Sequence, residues 1–294
     1  MEFNNIFQNN KYIKKKGVYI INESDDYTTN FGEQWKDYRY VQIDSYNNNS
    51  ISYNFLKKLI FNNEKILNNK NILEIGCGAG RFTEYLVNHA KLCVSVDLST
   101  AIFYNFAANS KKLILVKADF LQLIPNMRFD IVICRGVIQH TPHPFKSIKK
   151  LHKFVKNDGS VYFDVYKMPK IGYLHPKYFL WRPVAQKFLS YKKVKKILEK
   201  RIIFLLKLKK IIKKIFFNSR FIADSIIPIW DHQGLLELNK KQHEKWSILD
   251  TLDGLFAKYD KPISYNKIIN FLNKNNYKLL NSDKNNNIFE TTIK

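Results

Sequence analysis

Three glycines at alternating positions, Gly76, Gly78 and Gly80, are the residues whose type and spacing bear most directly on chemistry. They follow a short apolar run, Ile72-Leu73-Glu74-Ile75, that fits a buried strand, and they lead into a helical pattern. Strand, glycine turn and helix in that order hold a nucleotide-like ligand at the carboxyl end of a sheet. Glycine reaches positive φ and lets a ligand approach backbone that a Cβ would shield. The helix start adds unpaired N–H groups and partial positive charge, suited to a carboxylate or phosphate. A dinucleotide loop is spaced G-x-G-x-x-G; here the third glycine arrives one residue early.

Carboxylates recur where such a ligand needs them. Leu92–Val96 reads as a second strand running into Asp97-Leu98-Ser99. A carboxylate there accepts both ribose hydroxyls, or else it caps the following helix. Ile114–Phe120 reads as a third strand whose end carries Asp119, placed to accept an exocyclic adenine amine. Phe129–Cys134 reads as a fourth strand, followed by Arg135-Gly136-Val137-Ile138-Gln139-His140-Thr141.

The elements that must position these groups are also legible. Helices are expected over about 52–67, 82–90 and 145–155, and a turn at Asn157-Asp158-Gly159 leads to a fifth strand, 160–166. A last helix, 264–274, precedes a hairpin-like strand pair at the C-terminus. Strands alternating with helices imply right-handed crossovers and a parallel, doubly wound sheet. The expected organisation is an N-terminal helical arm (1–50), a core (51–166), a basic helical cap (167–261) and a C-terminal helix with strand pair (262–294). The arm carries Ser24-Asp25-Asp26-Tyr27 and Phe31-Gly32-Glu33-Gln34-Trp35, whose aromatics either pack on the core or fold over the ligand.

Together, LEIGCGAGRF, SVDLS, ADF and GVIQHTPHP, with FGEQW upstream, resemble class I S-adenosylmethionine-dependent methyltransferases, notably those of polysaccharide or secondary-metabolite modification. The resemblance implies an α/β fold: a doubly wound, seven-stranded, Rossmann-like sheet, with an N-terminal helical arm and a helical cap inserted after strand 5. It implies S-adenosylmethionine as cofactor, with contacts at Glu74, Gly76, Cys77, Gly78, Gly80, Asp97, Leu98, Asp119 and Phe120, and with Arg135 near the methionine end. It places Gln139-His140-Thr141 facing the transferring methyl. His140 is then a base for a hydroxyl nucleophile, or a hydrogen-bonding wall of the pocket. Gln34, Trp35, Gln139, Asp250, Asp253 and Tyr259 are the candidate acceptor-side residues. The chain lacks an Asn/Asp-Pro-Pro-aromatic tetrad after the fourth strand, which disfavours nucleobase-amine or glutamine N-methylation. No cluster of acids follows that strand, so no metal is expected.

The net charge is +24 over 294 residues, and part of it reflects a composition crowded with Asn, Lys and Ile. Between Tyr191 and Arg220, however, twelve Lys/Arg face a single acid, Glu199. Val194, Ile197, Leu198, Leu205, Leu208, Ile212 and Ile215 fall on one helical face and most lysines on another. Such a helix packs as a cap with a solvated basic side, or lies on an anionic membrane surface. Nucleic acid is disfavoured, because aromatics do not interleave with the basic residues. Cys77, Cys93 and Cys134 form no C-x-x-C pair, no long apolar run is present and the N-terminus lacks a signal-peptide core. The expectation is a cytoplasmic enzyme, peripheral to the inner face of the membrane if the basic helix binds lipid. It would methylate a hydroxyl of a sugar, glycan precursor or small natural product. The alternatives are an RNA or protein methyltransferase docking through the basic face, and a catalytically silent membrane-surface module.

Overall fold

A computed structural model describes residues 3–8, 11–21, 26–217 and 219–294; Ser24 and Asp25 of the expected arm lie outside the described residues. The chain divides into two compact units, one of residues 1–39, 43–168 and 259–294, the other of 40–42 and 169–258.

In chain order the first unit begins with strands β1 (Ile13–Lys15) and β2 (Val18–Ile20) and helices α1 (Thr29–Tyr38), α2 (Asp44–Asn47) and α3 (Ile51–Leu59). It continues through β3 (Asn71–Ile75), α4 (Thr83–His89), β4 (Leu92–Asp97), β5 (Leu113–Lys117) and β6 (Phe129–Cys134) to α5 (Pro144–Phe154) and β7 (Val155–Asp164). The second unit holds α6 (Arg182–Phe188), α7 (Tyr191–Ile215), α8 (Arg220–Ile226) and α9 (Lys240–Phe256). The first unit then closes with α10 (Tyr265–Lys274), β8 (Tyr277–Asp283) and β9 (Ile288–Ile293).

Among the described residues the sheet has nine strands, in the order β1-β2-β5-β4-β3-β6-β7-β9-β8, rather than the expected seven. The extra pair is a hairpin in what the sequence suggested was a purely helical arm. Lys16 and Gly17 both take positive φ (49° and 80°), as a two-residue hairpin turn requires, and β2 pairs parallel with β5. The five central strands are parallel, and β9 closes the far side antiparallel to β7.

Side-chain alternation along the strands builds both layers. Leu73, Val94 and Val132 pack in one cluster with Ile148 and Leu151 of α5 and Ile268 and Leu272 of α10. Their neighbours Ile72, Cys93 and Ile131 face the other way, onto Leu56 and Leu59 of α3 and Leu86 and Val87 of α4. Two boundaries differ from expectation. The helix expected over 52–67 ends at Leu59, because Phe61 and Asn62 both take positive φ. The expected turn at 157–159 lies inside β7, where pairing with β6 jumps from Phe129–Val155 to Ile131–Ser160.

In the second unit, α7 packs against α8 and α9, and Ser190, Ser219 and Asn239 cap the starts of α7, α8 and α9. The buried line of α7 is Val194, Leu198 and Ile202, continued by a buried Lys209 that is ion-paired to Asp224 and bonded to the Ile229 carbonyl. Ile197 and Ile215, expected on the packed face, are exposed.

Buried Arg182 donates to the carbonyls of Gly254 (2.8 Å) and Ala257 (2.6 Å), satisfying the end of α9. Arg182→Ala is expected to destabilise this unit by about 2–4 kcal/mol, read as a lowered urea midpoint.

Candidate active site

The central strand β3 delivers Glu74 and Ile75 into the glycine turn. The N–H groups of Gly76 and Cys77 both donate to the Val96 carbonyl, at 2.7 and 3.3 Å, and Gly80 N–H donates to the Cys77 carbonyl at 2.9 Å. Gly76 and Gly80 take φ of +79° and +96°. A Cβ at Gly76 would stand 2.1 Å from Val137 Cγ2; one at Gly80 would stand 2.9 Å from the Phe106 amide nitrogen. Neither position admits a side chain. The Trp35 indole lies against the turn, 3.4 Å from where a Cβ at Gly78 would be. Cys77 is buried, and its thiol points at the Gly78 carbonyl at 3.7 Å.

Three carboxylates lie near the carboxyl ends of β3, β4 and β5. Glu74 is buried; its Oε2 accepts from the Thr83 hydroxyl (2.6 Å) and the Ser95 hydroxyl (2.7 Å), while its Oε1 has no hydrogen-bond partner among the described residues. Burial pushes its pKa up to about 7, and the neighbouring Asp97 adds to the rise. Asp97 ends β4 half-buried, with Oδ2 accepting Gly78 N–H at 2.7 Å and Oδ1 accepting the N–H (2.8 Å) and hydroxyl (2.6 Å) of Ser99. Its carboxyl is also raised by burial, against the pull of those three donors. Ser99, not Asp97, caps the turn that follows. Asp119, buried beyond β5, accepts the Leu121 N–H at 2.9 Å, and Leu98 and Phe120 are buried beside these acids in sequence.

After β6, Asp164 at the end of β7 organises the loop. It pairs with Arg135 at 3.2 Å and accepts the Gly136 N–H at 2.6 Å, and Arg135 also lies over the Phe55 ring at 4.9 Å. His140 stands between Phe31 of α1 and Tyr166, edge to face with both, with ring centroids 5.2 and 5.3 Å away. Its Nδ1 lies 2.8 Å from the Tyr259 carbonyl. A carbonyl only accepts, so Nδ1 carries the proton and a neutral ring has its lone pair on Nε2. Tyr259 thus meets His140 through its backbone, while its own ring faces Tyr27 at 5.4 Å.

Gln34 and Gln139 are both fully buried, and each has a side-chain nitrogen without a hydrogen-bond partner among the described residues. Gln34 is one turn beyond Phe31 on the same face of α1, the face that reaches His140. Asp250 and Asp253 belong to the second unit, where Asp250 pairs with His232 at 2.8 Å. Sequence reasoning missed Asp164, although an acid closing the strand beside β6 was the available signal. It also missed Phe31 and Tyr166 as the walls of His140, for which spacing offers no sign.

A central parallel strand running into a positive-φ glycine turn, with carboxylates closing the next strands, is an arrangement that can hold a nucleotide-like ligand at the carboxyl end of the sheet. Residues 73–163 match the family model described as a methyltransferase domain. A ubiquinone biosynthesis O-methyltransferase of Coxiella burnetii (strain Dugway 5J108-111) is 27% identical over 114 residues, covering 37% of this chain and 49% of that protein. A malonyl-[acyl-carrier protein] O-methyltransferase of Paenibacillus sp. (strain JDR-2) is 31% identical over 106 residues, 32% of this chain and 38% of that protein. The chain thus spans about half or less of the length of these curated relatives. Among solved structures, the N-methyltransferase NodS from Bradyrhizobium japonicum WM9 with S-adenosyl-L-homocysteine is 21% identical, with a TM-score of 0.39, over 47% of this chain and 74% of that one.

The match to a methyltransferase domain implies S-adenosylmethionine as the methyl donor. The residues present fit it: the turn offers backbone with no side chain at Gly76 and Gly80, and Asp97 brings an acceptor carboxylate to its edge.

Proposed function

We propose that the protein is an O-methyltransferase acting on a hydroxyl of a sugar, a glycan precursor or a small natural product. The observation that carries this reading is the His140 tautomer, set by the Tyr259 carbonyl, which makes Nε2 the proton acceptor of a buried ring. When bound, the donor would supply an electrophilic methyl group on a sulfonium, whose carbon–sulfur bond breaks as the methyl leaves and a neutral thioether remains. In this reading Asp97 holds the ribose hydroxyls, Asp119 and the backbone at Phe120 hold the adenine, and Arg135, fixed by Asp164, borders the methionine end.

His140 takes the acceptor's hydroxyl proton on Nε2 as the new oxygen–carbon bond forms. The imidazolium that results is stabilised by the Nδ1–H bond to Tyr259. The buried amide groups of Gln34 and Gln139 supply N–H donors for the acceptor's other oxygens, and an amide without a partner costs stability that a bound oxygen restores. The Phe31 and Tyr166 rings keep the imidazole in one orientation, which matters because in-line displacement gains most of its rate from positioning.

His140→Ala is expected to lower turnover at least about tenfold and to leave donor affinity within about twofold, measured by methyl-transfer assay on a glycan and small-phenol panel and by calorimetry. Unchanged turnover with a hydroxyl acceptor would reduce His140 to a pocket wall. Methylation confined to amines in the same panel would replace O-methylation by N-methylation.

A further inference from the structure

α7 has three faces, not two. Val194, Leu198 and Ile202 are buried within the second unit. A second row, Ile197, Phe204 and Ile211, repeats every seven residues and continues to Ile215, with exposures of 47%, 59%, 54% and 64%. A third row, Lys193, Lys200, Lys207 and Lys214, has the same seven-residue spacing and is exposed throughout. A seven-residue step drifts only about 20° around a helix, so both rows run as continuous strips, side by side, for about 30 Å. At the end of the helix Phe217 is 97% exposed in a positive-φ turn, next to Phe216 at 40%.

Exposing aliphatic and phenylalanine side chains in a row opposes their transfer free energy and marks a surface made to be covered. The charge decides by what. Of the twelve basic residues in Tyr191–Arg220, Lys209 is consumed internally by Asp224, and the opposing acid Glu199 is engaged by Lys195 at 3.7 Å. What remains outside is apolar and cationic. A second copy of α7 would bring lysine strip against lysine strip. Nucleic acid would satisfy the lysines and leave the isoleucines wet. An anionic lipid interface accepts both strips at once, acyl chains taking the apolar row and headgroup phosphates the lysines.

We infer that α7 is a membrane-surface anchor, lying in the plane of an anionic leaflet with the Ile197–Phe204–Ile211 row and Phe217 inserted and the Lys193–Lys214 row at headgroup level. This is an attachment to the surface: no described helix is long and apolar enough to cross a membrane. The inference is independent of which acceptor is methylated, and its test reads without turnover.

The test is co-sedimentation of the full chain with vesicles of phosphatidylcholine containing about one-third phosphatidylglycerol, against pure phosphatidylcholine, at about 0.05 M and 0.5 M salt. The expected result is retention on the anionic vesicles alone, falling at least about tenfold at the higher salt. The variant Ile197→Ser/Phe204→Ser/Ile211→Ser and the variant Lys193→Gln/Lys200→Gln/Lys207→Gln/Lys214→Gln should each weaken partitioning at least about tenfold at unchanged helical circular dichroism. Phe217→Trp, at a fully exposed position, gives a second readout that leaves α7 untouched: its emission should shift to the blue on adding anionic vesicles. No retention at low salt would overturn the inference, as would equal retention on neutral vesicles or full binding by the serine variant. So would capture by an RNA oligomer without capture by vesicles.

Discussion

Alanine at Gly80 is expected to abolish donor binding and to cost the fold about 2–5 kcal/mol, more than any other single methyl added to the turn. Two effects combine. The backbone there has φ of +96°, where a Cβ is strained whatever surrounds it, and the added carbon would lie 2.9 Å from the Phe106 amide nitrogen and 2.6 Å from Asn105 Oδ1. Neither neighbour can retreat cheaply. The Phe106 N–H is bonded to the Ala79 carbonyl, and Asn105 is buried, donating to the Thr83 hydroxyl at 3.1 Å, which itself donates to Glu74. The clash is therefore passed along a buried chain from Asn105 through Thr83 to Glu74. Gly17→Ala is the matched comparison: φ there is +80° with nothing within 4 Å of the added carbon, so only the strain of about 1 kcal/mol remains. Urea midpoints for both variants, with calorimetry using S-adenosylmethionine, separate the two contributions. Intact donor binding by Gly80→Ala would show that the turn tolerates a side chain.

The second large effect is at Glu74. A carboxyl held at about pKa 7 when folded, against 4.5 for the ordinary side chain, keeps its proton in the folded chain through a range where the unfolded chain has released it. The unfolded state then binds fewer protons, so this group's contribution to stability is full below about pH 4.5 and is lost as pH rises through 7. The shift corresponds to about 3 kcal/mol. Glu74→Gln removes the titration, so the stability of the variant relative to the parent should rise by about 3 kcal/mol between pH 4.5 and pH 8.5, both proteins free of donor. Urea unfolding at the two pH values measures it. A difference independent of pH would mean that Glu74 is ionised throughout.

Much of the geometry around the glycine turn could be read from the chain because it depends on neighbours in sequence. A glycine turn between a strand and a helix is a local event, and Asp97 is placed by the strand that it ends. The surroundings of His140 and Arg135 depend on pairs that are distant along the chain. The Tyr259 carbonyl that sets the His140 tautomer comes from a segment beyond the entire second unit, and Asp164 reaches Arg135 and Gly136 only because β7 lies beside β6. The β1–β2 hairpin was hidden for a different reason. Its turn, Lys16-Gly17, sits within a run of lysines, and the fully exposed Ile13-Lys14-Lys15 strand shows no alternation to detect. In α7 the hydrophobic pattern was visible, but it set Ile197 and Ile215 on one stripe with Val194 and Leu198; only burial separates the two pairs.

The hairpin also changes what the sheet offers to other proteins in a crowded solution. Without it, the margin of the sheet would be β5, Leu113-Ile114-Leu115-Val116, a smooth aliphatic ribbon with its hydrogen-bonding groups free along one side. Any extended apolar segment, including a partly unfolded copy of the same chain, could dock there by strand addition. With the hairpin in place Leu115 and Val116 are paired by β2, and the strand outside them is three residues long and carries Lys14 and Lys15, a short charged edge that disfavours further strand addition. A few residues near the start of the chain thus act as a border against aggregation, and a form cut after the hairpin should be harder to keep in solution than its net charge suggests.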